Sequence, residues 1–323
     1  MMPSGFDSWL ILPEPNQSAR PGTVLVMTSG EAVTLGSIFG EDRSPFQMDL
    51  FFFRWYDATN AEGDPVTVKL YYRYPACQHV FQKEREVARG LAHPGVVRTI
   101  GEGSFEGCPF LVYEHLAGGT LRYWLLKQGS LPGSGVLSVA RQIAEVLDFM
   151  HARGILHSDV QPGNVWLDPD PEGRAALAEF GVTKAEYEVA DLELPLAEGG
   201  YAYAAPEQLF NCQATGLGAD IYNFGIMLYE LIAGAAAWSS LRDLSRLKED
   251  GPDIRNCRKE VSERLALQLA RTLRLDPEAR PATAGAALEG VEEEIAALRP
   301  APTANQAGPR SWRNFLLGRS QGC

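Results

Sequence analysis

The stretch that decides the fold is His157–Leu167, which reads HSDVQPGNVWL. It holds an acid, Asp159, and an amide, Asn164, five positions apart. Two positions at which a basic residue is expected hold Ser158 and Gln161 instead. From these residues alone the stretch is open to three interpretations: a working active site, an impaired one, or a turn of similar sequence.

The composition of the chain is that of a soluble globular protein, with 45% hydrophobic and 22% charged residues. Its 323 residues are enough for one large domain or for two lobes around a cleft. The net charge of -12 repels the phosphates of a nucleic acid, so we expect no nucleic-acid partner.

Other features predict a cytoplasmic location without a membrane span. The N-terminus lacks a basic region ahead of its short apolar run, so we expect no signal peptide. The longest apolar stretch, Phe224–Trp238, contains Glu230 and is too short to cross a membrane, which predicts a buried core helix. Five cysteines without a C-x-x-C pair predict reduced thiols: Cys77, Cys108, Cys212, Cys257 and Cys323.

The first third of the chain has the pattern of a β-rich region with one helix. Residues 1 to about 30 are expected to form an extension with a short strand at TVLVM. MDLFFFRWY from Met48 and PVTVKLYYRY from Pro65 predict a hairpin across the turn-rich loop DATNAEGD. CQHVFQKEREVARGLAH then predicts a helix, and GVVRTIGEGSFEGCPFLVYEHL predicts two more strands.

The remainder of the chain is mainly helical. LRYWLLKQG and GVLSVARQIAEVLDFMHARG predict helices, two short strands are expected to flank HSDVQPGNVWL, and helices dominate from Asp220 to Leu298. The tail from Arg299 has the composition of a linker followed by SWRNFLLGR, which is either a frayed terminus or a docking peptide. This order predicts an α+β protein with a small β-rich lobe and a larger helical lobe.

One charged pair is predicted inside the β-rich region. Phe81, Ala88 and Leu91 form an apolar stripe at helical spacing, and Glu84 lies within it. A carboxylate on a buried face needs a partner or a raised pKa. Lys69, on the preceding predicted strand, is the natural partner.

With this pair in place, the chain resembles the eukaryotic-type protein kinases, and the bacterial Ser/Thr kinases in particular, from about Thr34 to Leu298. The resembling motifs follow the family order: VTVK at Lys69, the helix with Glu84, HPGVV, FLVYEHLAGGTL, HSDVQPGN, AEFG, YAAPEQ, ADIYNFGIMLYEL and DPEARPAT. The resemblance implies a bilobal protein-kinase-like fold. Its expected parts are an N-terminal extension (1–30), a kinase-like domain (31–298, with lobes of about 31–115 and 116–298) and a flexible tail (299–323).

The resemblance also implies site residues. Asp159 would accept the proton of a substrate hydroxyl, Lys69 would bind nucleotide phosphates, and Glu84 would orient Lys69. Asn164 and Glu179 would hold Mg²⁺ or Mn²⁺, with ATP as the cofactor, if the protein is active; otherwise no cofactor is implied. The implied nucleotide-binding residues are Gly36, Ser37, Ile38, Thr67, Lys69, Tyr113, Glu114, Leu116 and Trp166.

Several residues depart from the family pattern. Gln161 replaces the loop lysine, and losing such a charge stabiliser costs about 10²–10³ in rate. Glu179 replaces the metal-binding aspartate with a longer side chain, although Mg²⁺ demands near-ideal geometry. Ile38 stands where a glycine would let backbone N–H groups approach phosphates, and its side chain is expected to obstruct them. Trp166 replaces an aliphatic residue, and it either fills the adenine position or stacks on a ligand.

Further departures and contacts follow from the resemblance. Thr67 replaces a small alanine of the adenine pocket, and Ser158 removes an arginine that would clamp a phosphorylated segment. Asp220 would hold the backbone of the HSDVQPGN loop, unless it is only an N-cap residue. Glu207 and Arg280 would form a buried ion pair.

Two functions from different classes follow. The first is a pseudokinase with weak or absent phosphoryl transfer that regulates a partner protein, and the departures around the nucleotide favour it. The alternative is an active Ser/Thr protein kinase with atypical metal dependence, for which the other protein is the substrate. A small-molecule phosphotransferase is disfavoured, because YAAPEQ and Arg280 belong to kinases with protein substrates. The oligomeric state stays open.

Overall fold

The computed structural model describes residues 19–38, 53–170, 172–180, 202–210, 215–234, 237 and 251–301. The chain divides into two compact units, Met1–Glu86 with Arg98–His115 and Val87–Val97 with Leu116–Cys323. The first unit is built on a β-sheet and the second is mainly helical, which confirms the predicted α+β class. The boundaries of the extension, the lobes and the tail stay predictions.

A six-stranded antiparallel sheet forms the first unit. Its strands are β1 (Val24–Val26), β2 (Ala32–Ile38), β3 (Phe53–Asn60), β4 (Pro65–Tyr71), β5 (Thr99–Phe105) and β6 (Cys108–Glu114), in the order β1-β2-β3-β4-β6-β5. Strand β1 is the strand predicted at TVLVM. Helix α1 (Pro75–Gly90) follows β4 and buries Cys77, Val80, Phe81 and Glu84.

The two end strands of this order are joined, so the sheet closes on itself. Met27, directly after β1, forms an antiparallel bridge with Gly103 of β5. A Cβ at Gly103 would lie 2.5 Å from the Phe110 ring and 2.8 Å from the Val26 carbonyl oxygen, so a side chain there would force the strands apart. The enclosed core includes Leu25, Met27 and Phe110.

Strand β4 is buried on both faces, and this places Lys69. Val66, Val68 and Leu70 belong to the core enclosed by the sheet. Thr67 and Lys69 alternate with them on the opposite face, and both are 0% exposed. A strand buried on both faces explains the run of β-branched and aromatic residues in PVTVKLYYRY.

The β3–β4 hairpin corrects one expectation. The loop predicted at DATNAEGD is shorter than expected, because β3 continues through Asp57 to Asn60. The Asn60 N–H donates to the Asp64 carbonyl at 2.9 Å, and Asn60 Oδ1 accepts from the Asp64 N–H at 2.7 Å. Gly63 supplies the left-handed backbone, with φ of 90°, that this tight turn needs.

The described helices of the second unit are α2 (Leu121–Gln128), α3 (Gly133–His151), α4 (Pro206–Phe210), α5 (Leu217–Ala233), α6 (Glu263–Thr272), α7 (Ala284–Leu288) and α8 (Glu292–Ala297). Short 3-10 turns lie at Ile254–Asn256 and Pro277–Ala279. Every residue from Ala219 to Ala233 is buried, so α5 is the core helix that the apolar stretch predicted.

A small sheet of β7 (Gly119–Thr120), β8 (Val165–Leu167) and β9 (Ala175–Leu177) also belongs to this unit. The expectation that two strands flank HSDVQPGNVWL is wrong. Strand β8 begins inside that stretch and pairs with β9, so both strands follow the loop and form a hairpin after it.

The three cysteines that the structure describes are in two states. Cys77 and Cys108 are free and buried, and burial raises the pKa of the Cys77 thiol to about 11. Cys257 is disulfide-bonded, so the expectation of reduced thiols is wrong at this position. Sequence spacing does not show which cysteines meet in space. Within the described part of the chain, no helix has both the length and the apolar character needed to cross a membrane.

Candidate functional site

Lys69 and Glu84 form the buried pair that the sequence predicted. Lys69 Nζ lies 2.6 Å from Glu84 Oε2, and the two side chains are 0% and 1% exposed. Lys69 comes from β4 and Glu84 from the buried face of α1, so the pair ties the helix to the sheet. Two opposite charges removed from water this completely require each other, because either one alone would remain an uncompensated buried charge.

Two tyrosine hydroxyls also bind the Glu84 carboxylate. Tyr71 donates to Oε2, and Tyr113 donates to Oε1 at 2.6 Å. Both carboxylate oxygens therefore accept hydrogen bonds from buried donors. These contacts were not predicted from the sequence, although Tyr71 follows Lys69 by two residues and thus shares its face of β4.

Three aromatic rings surround the Lys69 ammonium group. Its Nζ lies 3.7 Å from the centroid of the Phe53 ring and 5.2 Å from the centroids of Trp55 and Tyr71. Trp55 is the cross-strand partner of Lys69, and Phe53 is that of Tyr71, so all four side chains lie on one face. We call Phe53, Trp55 and Tyr71 the aromatic cage. Sequence reasoning missed it, and the alternating apolar residues of FFFRWY are the signal for it.

In the glycine-rich segment, the structure describes residues up to Ile38, and it corrects the expected position of the Ile38 side chain. A Cβ at Gly36 would lie 3.0 Å from the Asp57 carbonyl oxygen, and the Ser37 hydroxyl donates to Asp57 Oδ2 at 3.3 Å. Ile38 was expected to obstruct phosphates, but its side chain packs against the core of the first unit. The reason is a register shift between Leu35 and Ile38, which changes the face on which residue 38 lies.

The other nucleotide-binding residues predicted in the first unit have polar partners of their own. Thr67 Oγ1 lies 3.2 Å from His115 Nδ1. The backbone N–H of Glu114 donates to the Arg98 carbonyl at 3.0 Å. Tyr113 is 1% exposed, and its hydroxyl is used by Glu84. Their roles toward a nucleotide stay predictions.

In the second unit, Asp220 at the start of α5 holds the HSDVQPGN loop, as predicted. Its carboxylate accepts from the backbone N–H groups of His157 at 2.9 Å and Ser158 at 2.7 Å. Asp220 Oδ2 also lies 2.8 Å from His151 Nε2. Ser158 has φ of 71°, and successive N–H groups around a left-handed residue form a concave anion-binding turn.

Asp159 is held by amides. Gln161 Nε2 donates to Oδ1 and Oδ2 at 2.8 Å each, and Asn164 Nδ2 donates to Oδ2 at 2.8 Å. His157 Nδ1 accepts from the Asp159 N–H at 3.2 Å, while His157 Nε2 lies 2.9 Å from the Ala178 carbonyl oxygen. A neutral imidazole satisfies both contacts when Nε2 carries the proton.

Burial raises the pKa of Asp159 above its ordinary value of 3.8. The hydrogen bonds from Gln161 and Asn164 lower the pKa of Asp159, but burial dominates. A carboxylate with a raised pKa takes up a proton more readily, which suits a general base.

For the remaining predicted site residues of the second unit, the structure gives the burial of the side chain or the backbone conformation. Trp166 lies on β8 and is 3% exposed, and Leu116 is 1% exposed. Glu179 has φ of 68°, a left-handed conformation that is uncommon for a residue other than glycine. Among the residues that the structure describes, no group of three or more His, Cys, Asp or Glu could hold a metal ion. Asn164 and Glu179 do carry oxygen donors of the kind that Mg²⁺ prefers.

The predicted ion pair between Glu207 and Arg280 is present. Arg280 Nη1 lies 2.5 Å from Glu207 Oε1, and Nη2 donates to Oε2 at 3.0 Å. Beside it, the Gln208 amide donates to the Ser158 carbonyl at 2.8 Å and accepts from Asn223 Nδ2 at 2.9 Å. These bonds tie the YAAPEQ segment to the loop and to α5. Sequence reasoning missed the contacts of Gln208 and Asn223.

Among the described residues of the first unit, Lys69 presents no exposed N–H to the triphosphate of ATP. A phosphate oxygen needs an accessible N–H of the ammonium group, and Lys69 is fully buried between a carboxylate and the aromatic cage. The unit thus retains the Lys69–Glu84 pair, with the lysine fully buried.

The known proteins to which this chain is similar are protein kinases or protein kinase domains. The model of the protein kinase domain matches residues 56–290. A probable serine/threonine-protein kinase, pknA2 of Bifidobacterium longum, is 30% identical over 225 residues, which cover 68% of this chain and 29% of that protein. The serine/threonine-protein kinase PknL of Mycobacterium tuberculosis is 32% identical over 247 residues, covering 72% and 60%. The tyrosine-protein kinase MasK of Myxococcus xanthus is 30% identical over 234 residues, covering 68% and 36%.

The chain thus spans less than two thirds of the length of these relatives. Among solved structures, Rad53 1-466 in complex with AMP-PNP is similar with a TM-score of 0.62 and 23% identity, over 79% of this chain and 64% of that chain. The Rad53 kinase domain and SCD2 in complex with AMPPNP gives 0.56 and 23%, over 72% and 84%. At this identity the likeness shows a shared fold.

Proposed function

The chain belongs to the protein kinase domain family, and from this premise we propose that it is a pseudokinase. In this proposal, phosphoryl transfer is weak or absent, and the protein acts by binding and regulating another protein. Phosphoryl transfer by protein kinases relies on positioning and on charge neutralisation around the transferred phosphoryl group. The proposal therefore depends on whether this chain supplies the charges at the right places.

The observation that carries the proposal is the contact between Gln161 and Asp159. The resemblance places a lysine at position 161, where its charge would balance the moving phosphoryl group. Here a neutral amide stands at that position and donates to both oxygens of the proposed base. Loss of the cation costs transition-state stabilisation, and the amide adds a contact that a substrate hydroxyl must displace.

The burial of Lys69 supports the same proposal independently. Its ammonium group is 0% exposed and contacts Glu84 and the aromatic cage. Rate penalties from separate defects multiply, because the corresponding barrier heights add. A missing cation in the loop together with a covered lysine therefore predicts a very low rate.

A protein partner is the natural object of regulation in this proposal. The YAAPEQ segment is the part that the resemblance associates with protein substrates, and Glu207 and Gln208 anchor it to the second unit.

The expected cytoplasmic location is also a proposal. The free thiols of Cys77 and Cys108 support it, and the disulfide of Cys257 opposes it.

The second candidate is an active Ser/Thr protein kinase. The formed Lys69–Glu84 pair favours it, as does the raised pKa of Asp159 beside Asn164. In this case Asp159 would accept the substrate hydroxyl proton, and Asn164 and Glu179 would hold Mg²⁺ or Mn²⁺.

Labelled phosphate transfer separates the two candidates. The purified chain is incubated with γ-labelled ATP and casein, with Mg²⁺ or Mn²⁺, and its melting temperature is measured with and without nucleotide. Asp159→Ala is the control. The pseudokinase predicts no transfer above the level of Asp159→Ala. Metal-dependent transfer that disappears in Asp159→Ala would establish the kinase instead.

A further inference from the structure

We propose that Trp55 determines which ligands reach Lys69: its indole excludes anions, and a smaller residue at position 55 opens a phosphate site. This inference rests on the proposed function, since it explains why the family lysine is present without serving a nucleotide. Lys69 would then be a latent anion site, closed by side chains of its own sheet.

The position of Trp55 in the sheet makes it the cover of this site. Trp55 and Lys69 are direct cross-strand partners, and the Lys69 Nζ lies 5.2 Å from the indole ring. Among the residues around the ammonium group, Lys69, Tyr71 and Tyr113 are 0–1% exposed and Phe53 is 6% exposed, while Trp55 is 9% exposed. Trp55 is thus the most exposed member of this group.

Trp55 also holds the other rings in place. Its ring packs against Tyr113 at a centroid distance of 5.3 Å and against Phe53 at 6.5 Å, edge to face. Tyr113 in turn donates to Glu84. Removal of the indole therefore opens a path to Lys69 while the Lys69–Glu84 pair keeps its own hydrogen bond.

The electrostatics of the cage disfavour an anion beside Lys69. The face of an aromatic ring carries negative potential, so it attracts an ammonium group and repels a phosphate. The cage presents such faces to Lys69, and Glu84 adds a full negative charge. An incoming phosphate would have to replace a favourable cation–π contact while it approaches negative surfaces.

The test compares anion binding by wild type and Trp55→Val, with tripolyphosphate and ATP as probes in isothermal titration calorimetry. Trp55→Phe, which keeps a ring, is the matched control. We expect Trp55→Val to bind tripolyphosphate at least about tenfold more tightly than wild type, which corresponds to one additional charge-assisted contact. Trp55→Phe should remain near wild type, and Trp55→Val combined with Lys69→Gln should lose the gain.

Lysine footprinting by reductive methylation and mass spectrometry provides a second readout. Lys69 should be protected in wild type and modified in Trp55→Val, with the part-buried Lys83 as an internal reference in both. Trp55→Leu is measured in parallel, so that a folded variant with a small side chain is available. Unchanged affinity for tripolyphosphate in both small variants would overturn the inference, as would a gain that survives Lys69→Gln. Metal-dependent phosphate transfer by wild type would overturn the proposed function instead, so the two failures are distinguishable.

Discussion

Gln161 donates its side-chain amide to both carboxylate oxygens of Asp159, at 2.8 Å to each. The loop keeps its acid and places a neutral donor where the resemblance implies a cation. The backbone of the loop is nonetheless fixed, because Asp220 accepts the N–H groups of His157 and Ser158. The backbone conformation of the loop is thus preserved, while the positive charge implied at position 161 is lost.

Gln161→Lys alone should not restore phosphoryl transfer. The substitution returns a cation to the loop, but Lys69 stays covered by the aromatic cage, and penalties at separate sites multiply. We expect no labelled phosphate on casein with Mg²⁺ or Mn²⁺, as for wild type. The double variant Gln161→Lys with Trp55→Val is the companion measurement. Strong transfer by Gln161→Lys alone would show that the cage does not limit the reaction.

The stability that Asp159 contributes should fall as the pH rises. Its pKa is raised in the folded protein, so the protonated form is favoured there. The contribution is present below the pKa of the unfolded chain and is lost as the pH rises through the folded pKa. The stability of wild type relative to Asp159→Asn, from urea unfolding, should therefore be lower at about pH 7 than at about pH 4.

Asp253→Asn is the control for this pH series, because the opposite sign is expected. Hydrogen bonds from Arg255 lower the pKa of Asp253. Its contribution is present above the unfolded pKa and is lost as the pH falls through the folded value. If both variants show the same sign of pH dependence, burial does not dominate at Asp159.

The sequence predicted contacts that follow from periodicity and from the family pattern. Glu84 lies within an apolar helical stripe, so its burial and its need for Lys69 were visible in the sequence. Asp220 and its bonds to the HSDVQPGN loop followed from the resemblance. These contacts are set by the faces of helices and strands, which alternate with fixed periods.

Contacts that depend on strand register were not predictable in the same way. Trp55 meets Lys69 only because β3 and β4 pair in one particular register. Ile38 packs inward because a bulge shifts the strand by one residue. Gln161 was recognised as a lost cation, but a substitution pattern does not show what the new side chain binds. Its contact with Asp159 is seen only in the three-dimensional structure.

Removal of the Tyr113 hydroxyl should loosen α1. In Tyr113→Phe, one oxygen of the buried Glu84 carboxylate loses its donor at 2.6 Å, and a hydrogen bond to a charged group contributes about 1.5–3 kcal/mol. We expect a loss of that size in calorimetry and faster amide exchange in α1. Tyr56→Phe is the matched control in the same sheet, since the Tyr56 hydroxyl has a 3.4 Å contact with the Ala19 carbonyl. Equal effects of both substitutions would contradict a special role for the Glu84 contact.

Gly103→Ala should destabilise the closed sheet. The new methyl group would lie 2.8 Å from the Val26 carbonyl oxygen, which is backbone and cannot turn aside. Overpacking of this kind costs about 1–3 kcal/mol, measured by calorimetry. Gly90→Ala is the control, because beyond its own helix backbone and chain neighbours no atom lies within 4 Å of its added Cβ. Alanine is the better helix former, so Gly90→Ala should be neutral or slightly stabilising. A neutral Gly103→Ala would mean that β1 does not close the sheet in solution.

Glu207→Ala should be among the most destabilising single substitutions in the second unit. It leaves the Arg280 guanidinium, whose side chain is 0% exposed, without its carboxylate, and such a loss costs about 3–5 kcal/mol. Glu260→Ala is the matched control. Glu260 lies 2.6 Å from the buried Arg258 but is itself 57% exposed, whereas the Glu207 side chain is 20% exposed. Both arginines also donate to backbone carbonyls, so the exposure of the carboxylate is what differs. Solvent screening reduces the Glu260 contact to less than about 1 kcal/mol. Urea unfolding of the two variants should therefore differ by several kcal/mol, and similar midpoints would show that the Glu207–Arg280 pair does not hold the segment in place.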